Sequence, residues 1–458
     1  MTLRYDASGL EPSTVGKERA VTDEDRAQLA DELRAAHRAI MEGVDEGRLG
    51  FVDCPDIDAT PIVEWAERKR DGYTDQVVIG IGGSSLGARA VYESMSAAEK
   101  GGLRTHFAEN VDPVATRQLF ERLDLAKTLF VVVTKSGTTV ETMTKFWYAF
   151  DRVVERVGTD EASNHFVGIT GPQNDGLRAM AERFDFDSFE VPPNVGGRFS
   201  VLTPVGLVPL ALAGYDIEGL LAGAGRARSC AVGTDDVREN PLLRATADIF
   251  TLYERGVDQH VMMAYSEQLY RLADWFRQLW AESLGKAEDR SGRQVHVGMT
   301  PIKALGAVDQ HSQAQLYMEG PDDKLTVFLE TEKFETDLEI PRREGLPESL
   351  AHLRGKSLSE VFRAELQGTR RALQKAGRPT TSWRLSQVAP SEIGAFLFAW
   401  EFITATMGEL LDIDAFNQPG VELGKKLAHG LLGRPGYEEW AQMAQDASNS
   451  SATAISGD

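Results

Sequence analysis

The sequence predicts an α/β fold made of two successive α/β/α sandwich halves with parallel sheets, preceded by a helical arm and followed by a short tail. Three observations lead there. Short β-branched apolar runs alternate with helical patterns, as parallel strands joined by crossover helices require. The alternation occurs twice along 458 residues, enough chain for two cores. Two of the strands also break into small, hydroxyl-rich loops before a helix resumes, a strand-loop-helix arrangement found at the ligand end of parallel sheets.

Taken in order, residues 1–45 read as a charged helical arm. In DEDRAQLADELRAAHRAIMEG, apolar Leu29, Leu33, Ala36 and Ile40 fall on one face that needs a surface to cover it. The first half, residues 46–224, places strands at Gln76–Ile81, Thr105–Glu109, Leu129–Thr134, Phe166–Thr170 and Phe189–Val191, then an apolar helical stretch over 200–224. The looser segment AGAGRARSCAVGTDD marks the boundary. The second half, residues 225–440, has buried strands expected at Gln259–Tyr265, His296–Thr300, Leu325–Glu330 and Trp383–Val388. Helices Glu267–Leu284 and Ser391–Leu411 lie among them. The small, polar residues of the tail, 441–458, predict disorder.

Composition narrows the function. A net charge of −21 disfavours nucleic acid and anionic membrane as partners, because a polyanion meets repulsion over most of the surface. The apolar stretches Val201–Gly214 and Ile393–Leu411 are interrupted by Pro204 and Pro209, and by Glu401 and Glu409, so neither reads as a membrane span. The N-terminal residues show no basic-then-apolar secretory pattern, and the two cysteines, Cys54 and Cys230, are far apart. A reducing cytosol is therefore expected. Only 14 of the 49 basic residues are lysine. Acidic groups matched mainly by arginine fit a high-salt cytosol, and an ordinary acidic cytosolic enzyme equally well.

The chemistry-bearing segments come next. VVIGIGGSSLGARAVYESM (Val77–Met95) and LFVVVTKSGTTVETM (Leu129–Met143) each bring backbone N–H groups and hydroxyls to a helix start. In the second, Lys135 stands beside Thr134, Ser136, Thr138 and Thr139, a set suited to a phosphomonoester. A dinucleotide fingerprint fails, since Ser85 occupies the third glycine position after Gly80 and Gly82, and the Walker lysine pattern is absent. NVGGRFSVLTPVG sets Gly196, Gly197 and Arg198 at the mouth of an apolar helix, where a guanidinium adds positive potential.

In SEQLYRLADWFRQLWAESLGK the stripe Leu269, Leu272, Phe276, Leu279 and Trp280 faces a core. A second line joins Trp275, Gln278 and Glu282, so Glu282 reads either as a surface carboxylate or as a partly buried one suited to proton abstraction. His311, among Asp309, Gln310, Ser312 and Gln313, reads as a surface histidine or an acid/base. AFNQPGVELGKKL offers Gln418, Glu422 and Lys425 at a helix start, with a plain surface charge as the alternative for the lysine.

Taken together, IGIGGSSLG, TKSGTTVET, NVGGRFSVLTPVG, WFRQLWAESLGK, AVDQHSQAQ and FNQPGVELGKK resemble the glucose-6-phosphate isomerase family, in particular its compact bacterial and archaeal branch, from about Phe51 to Leu427. The resemblance implies two sugar-isomerase sandwich domains, a homodimer, no metal or organic cofactor, and interconversion of glucose 6-phosphate and fructose 6-phosphate through a cis-enediol(ate). It implies that Ser84, Thr134, Lys135, Ser136 and Thr139 hold the phosphate with Gly83 close by, and that Gly197, Gln278 and Gln418 line the substrate. Glu282 would move the proton between C1 and C2, and Arg198 would stabilise the enediolate. His311, reaching in from the neighbouring subunit, and Lys425 would assist ring opening. The pattern departs at Pro193, usually small and polar or acidic, and at Asn417, commonly aspartate. A non-catalytic sugar-phosphate sensor is the rival of a different class. It predicts phosphate binding with no need for Glu282, His311 and Lys425. Isomerases of mannose or amino-sugar phosphates share most of the chemistry.

Overall fold

The computed structural model describes residues 3–96, 100–173, 176–343, 345 and 347–446. Strand β1 (Arg4–Asp6) comes first. It is followed by β2 (Asp75–Ile79), β3 (Arg104–Phe107), β4 (Thr128–Thr134), β5 (Phe166–Thr170) and β6 (Asp187–Glu190). Next come β7 (Gln259–Tyr265), the antiparallel pair β8 (Lys286–Glu288) and β9 (Gln294–Val297), then β10 (Thr300–Leu305), β11 (Lys324–Lys333) and β12 (Thr380–Gln387).

One five-stranded sheet runs β3-β2-β4-β5-β6 with every neighbouring pair parallel. The other runs β1-β12-β11-β7-β10, parallel except for β1, which lies antiparallel on the edge of β12. The sequence predicts a charged helical arm over residues 1–45; its first residues instead complete the distant second sheet before the helix Ala30–Asp45 begins.

Side chains alternate across each strand, so each sheet buries two faces. Val78, Val131 and Val133 of the first sheet and Met262, Ala264, Leu325, Val327 and Leu329 of the second belong to one contiguous core. Helices Pro204–Leu212, Ile217–Val232, Pro241–Glu254, Tyr270–Leu284 and Pro390–Leu410 contribute to that same core. The opposite faces have separate clusters, with Val77, Ile79, Phe130 and Val132 in one and Val261, Met263 and Phe328 in the other. At about 1.5–3 kcal/mol for each fully buried Leu, Val or Phe, the shared core is the main force locking the two sheets together. Helix Pro390–Leu410 is long and apolar enough by composition to cross a membrane, and it lies buried in this core.

The segment expected as a loose boundary is instead mostly the helix Ile217–Val232, packed on Pro390–Leu410. Its small residues serve a close crossing, since a Cβ at Gly223 would stand 1.8 Å from the Ser391 carbonyl oxygen and one at Gly394 1.9 Å from that of Leu220. A second correction concerns His296–Thr300. These residues end the β8–β9 hairpin and start β10, with Gly298 at φ +127° breaking the run. At the other end, Glu438–Asp446 is a helix, so residues 441–446 of the expected disordered tail are ordered, and 447–458 lie outside the described residues.

Candidate active site

The first sheet reverses its order between β2 and β4: the connection from β2 leads to β3 on one side, and the chain then crosses to β4 on the other. Loops leaving such a switch point diverge and open a crevice at the carboxyl ends of the strands. Both glycine- and hydroxyl-rich loops leave there, side by side, because Ile79 is in register with Val132.

In the β2 loop, Gly82 sits at φ +58°, a conformation costly for other residues. Gly83 approaches another backbone so closely that a Cβ would lie 2.3 Å from both the carbonyl carbon and oxygen of Gly197. Gly83 thereby docks the β2 loop onto the 3-10 turn Gly197–Phe199 that bears Arg198. In the β4 loop the hydroxyls of Thr134 and Thr139 lie 2.9 Å apart, with Ser136 Oγ 3.4 Å from each. Helix Val140–Val157 begins here without a side-chain cap, leaving its first N–H groups and the positive end of its dipole at the crevice. Helix Leu86–Ser94 is likewise uncapped, because Ser85 Oγ donates to Glu109 at 2.6 Å. Lys135 serves the loop differently from a free phosphate-binding ammonium. Its Nζ donates to the carbonyls of Pro193 (2.9 Å) and Val195 (2.7 Å), tying the β4 loop to the segment leading to Arg198, and burial lowers its pKa.

Arg198 does not sit solvated at the mouth of helix Pro204–Leu212; it is 5 % exposed and reaches inward. All five of its N–H donors are used. Nε donates to Ser283 Oγ (2.7 Å), one terminal nitrogen to Gln418 Oε1 (3.0 Å) and Glu282 Oε2 (3.4 Å), and the other to the carbonyls of Ala415 (2.6 Å) and Asn417 (3.0 Å). Burial pulls its pKa down, opposed by the charges of Glu282 and Asp414, and a guanidinium so placed stays charged. Behind it, Phe199 packs on Phe51 and Phe416 at 5.1 and 5.0 Å between ring centroids, which fixes the Ala415–Gln418 strip.

Glu282 stands in the last turn of helix Tyr270–Leu284, half-buried, and accepts a hydrogen bond from Gln278 Nε2 at 3.2 Å as well as the contact from Arg198. The i, i+4 line read from sequence therefore exists, and the stripe Leu269, Leu272, Phe276, Leu279 and Trp280 is fully buried beneath it. Gly82, whose Cβ would stand 2.9 Å from Gln278 Nε2, brings the β2 loop against the same line.

The structure thus gathers Gly83, Gly197, Arg198, Gln278, Glu282 and Gln418 into one assembly, and Thr134, Lys135, Ser136 and Thr139 into the loop at its border. Ser84 ends the β2 turn. His311 and Lys425 are not part of it. His311 is exposed at the end of the turn Val308–His311. Lys425 is exposed on helix Glu422–Leu431, paired with Glu422 at 2.7 Å.

Sequence reasoning missed Ser283 and the carbonyls of Ala415 and Asn417, which hold the guanidinium, and Lys286, whose Nζ donates to the carbonyls of Glu282 and Ser283. Only Lys286 left a signal, its i+4 spacing from Glu282. Asn417 acts on Arg198 through its main chain, so its departure from aspartate leaves that bond unchanged.

The phosphoglucose isomerase family model matches residues 57–454. A glucose-6-phosphate isomerase from Carboxydothermus hydrogenoformans is 40% identical over 453 residues, covering 96% of this chain and 97% of the relative. Among solved structures, a hypothetical protein from Thermus thermophilus superposes with a TM-score of 0.85 at 38% identity, over 94% of this chain and 100% of the other. A glucose-6-phosphate isomerase from Chlamydia trachomatis gives a TM-score of 0.71 at 27% identity, over 85% and 76%. On sequence and fold together, the chain belongs to the phosphoglucose isomerase family.

Proposed function

We propose that this chain interconverts glucose 6-phosphate and fructose 6-phosphate by proton transfer through a cis-enediol(ate), with Glu282 as the base and Arg198 as the cation that receives the developing charge. One observation carries the assignment of roles. A half-buried carboxylate lies 3.4 Å from a buried guanidinium, and Lys135 ties the segment leading to that guanidinium to the loop that offers hydroxyls and uncapped helix N–H groups. Enolisation next to a carbonyl needs a positioned carboxylate and a fixed positive charge where the oxyanion forms. The Thr134, Ser136 and Thr139 hydroxyls with Ser84 take the phosphate, and that remote binding energy aligns the open sugar chain. Glu282 removes the proton from C2 or C1 and returns it to the other carbon, while Arg198 holds the enediolate oxygen and Gln278 and Gln418 orient the hydroxyls.

His311, brought in by a second copy of the chain, and Lys425 assist ring opening. The support is local. His311 follows Gln310, whose side chain bonds Glu365 on the rim of a 490 Å³ hollow that Ala307, Leu338, Leu358 and Phe362 also line, and Val308, Leu316, Leu338 and Leu358 are all more than half exposed. A homodimer that buries this surface presents each His311 to its partner. The function is tested by proton NMR of the protein with fructose 6-phosphate in D₂O. Glucose 6-phosphate bearing deuterium at C2 is expected; absence of turnover in both low salt and high KCl would leave phosphate binding without this chemistry.

A further inference from the structure

Beyond the groups facing substrate, one charged side chain touches the reaction centre from behind. Lys286 is the first residue of β8, paired with Val297, and is 8 % exposed. Its Nζ donates to the carbonyls of Glu282 and Ser283, both at 2.7 Å. Those are last-turn carbonyls of helix Tyr270–Leu284, left without intrahelical partners. The two residues they belong to are the pair that matters: Glu282 carries the proposed base, and Ser283 Oγ accepts the Nε bond of Arg198.

We infer that the Lys286 ammonium is a positioning residue for the isomerisation, clamping the end of helix Tyr270–Leu284 so that the Glu282 carboxylate and the Arg198 guanidinium stay in fixed relation. The inference rests on the roles proposed above for Glu282 and Arg198. Several features make the clamp more than an ordinary helix cap. Helix C-termini commonly satisfy these carbonyls with a glycine turn or an exposed basic side chain, whereas here the cation is buried and comes from the strand that follows. A charge-assisted bond is roughly twice as strong as a neutral one, so the protonated lysine holds the turn more tightly than the free amine. The charged groups around it are Arg198, Glu282 and Asp414. Burial first, then the repulsion of Arg198, lowers its pKa to about 8, with Asp414 and Glu282 opposing. In the native protein this lysine therefore loses its proton above about pH 8, where a solvated lysine keeps it.

The experiment measures kcat and KM for fructose 6-phosphate in wild type, Lys286→Met and Lys286→Arg between pH 6.5 and 9.5, with circular dichroism as a check of folding. Misplacing a reacting group by an ångström costs about 100-fold in rate, so kcat in Lys286→Met is expected to fall by about that factor. KM should change by less than about threefold, because the phosphate loop is untouched. Lys286→Arg, always charged, should recover most of kcat at pH 7 and lose the decline in kcat that wild type shows above about pH 8. A Lys286→Met enzyme with kcat within about twofold of wild type, or the same alkaline decline in Lys286→Arg as in wild type, overturns the inference. Should Lys286→Met not fold, the comparison of the wild-type and Lys286→Arg profiles decides alone. An inactive wild type would remove the isomerase reading and this inference with it, whereas an active wild type with an indifferent Lys286 removes only the inference.

Discussion

Around Arg198 every guanidinium N–H has an acceptor within its own chain, and the acceptors come from the end of one helix and from the Ala415–Gln418 strip. Around His311 the opposite holds: the imidazole is exposed, and Val308 and Leu316 on either side of it in the chain show apolar surface to solvent. Lys425 resembles His311, resting on an exposed helix with a carboxylate one turn away. The contrast separates groups that must be held fixed from groups another surface can bring in. Stabilising an enediolate requires dipoles and charges already aimed before the charge appears, which only a buried, fully bonded cation supplies. Opening a sugar ring breaks the bond from the anomeric carbon to the ring oxygen, which gains a proton as the anomeric hydroxyl loses one, and an acid/base group delivered by a second chain suffices.

The sharpest test of the preassembled region is its carboxylate. Glu282→Gln keeps the shape and the Gln278 contact but removes the base, so kcat should fall by about 10⁴-fold, with fructose 6-phosphate still bound, as read by kinetics and calorimetry. Near-normal turnover would reassign the base. Arg198→Ala comes next, with a loss in kcat of about 10²–10³-fold that exceeds any rise in KM. It also strips acceptors at Ser283, Ala415 and Asn417 of their partner, so thermal unfolding should register a loss of about 3–5 kcal/mol. A change confined to KM would move Arg198 to the phosphate. Gly83→Ala is milder. The added methyl meets the Gly197 backbone at 2.3 Å and must push the Arg198 turn, so kcat/KM should drop by about tenfold or more. An unchanged value would show that the two loops are not rigidly docked.

How much of this was legible in sequence follows from the kind of contact involved. β5 and β7 appear at the bounds read from sequence, Phe166–Thr170 and Gln259–Tyr265, because strands buried on both faces leave uninterrupted apolar runs. The Trp275, Gln278, Glu282 line was readable because helical periodicity is local. The setting of Arg198 was not, since its carbonyl acceptors lie 217 and 219 residues away and backbone carbonyls carry no sequence signature. Nor was β1, whose three residues gain their strand character only by lying on β12. The glycine- and alanine-rich run near Gly223 was misread as loose for a related reason: a residue chosen for close helix approach and one chosen for flexibility are the same letter.

The last test addresses the exposed region, with the smallest effect on a concentrated enzyme. If a second copy covers the surface around His311, a carboxylate placed at Leu338 must be buried on association, opposing it by several kcal/mol unless a cation lies opposite. At high protein concentration association still saturates in part, and Leu338→Glu should lower specific activity only modestly. Dilution separates the two regions. Wild-type specific activity should stay level over a range in which that of Leu338→Glu declines, in step with a shift to smaller mass in sedimentation, because dissociation removes His311 from the site while leaving the Arg198 and Glu282 assembly intact within each chain. The residual activity of the fully dissociated variant then reports what the preassembled region does alone. If instead the variant sediments as a single chain with full activity, His311 acts within its own subunit or not at all, and the division between a fixed centre and a delivered group fails.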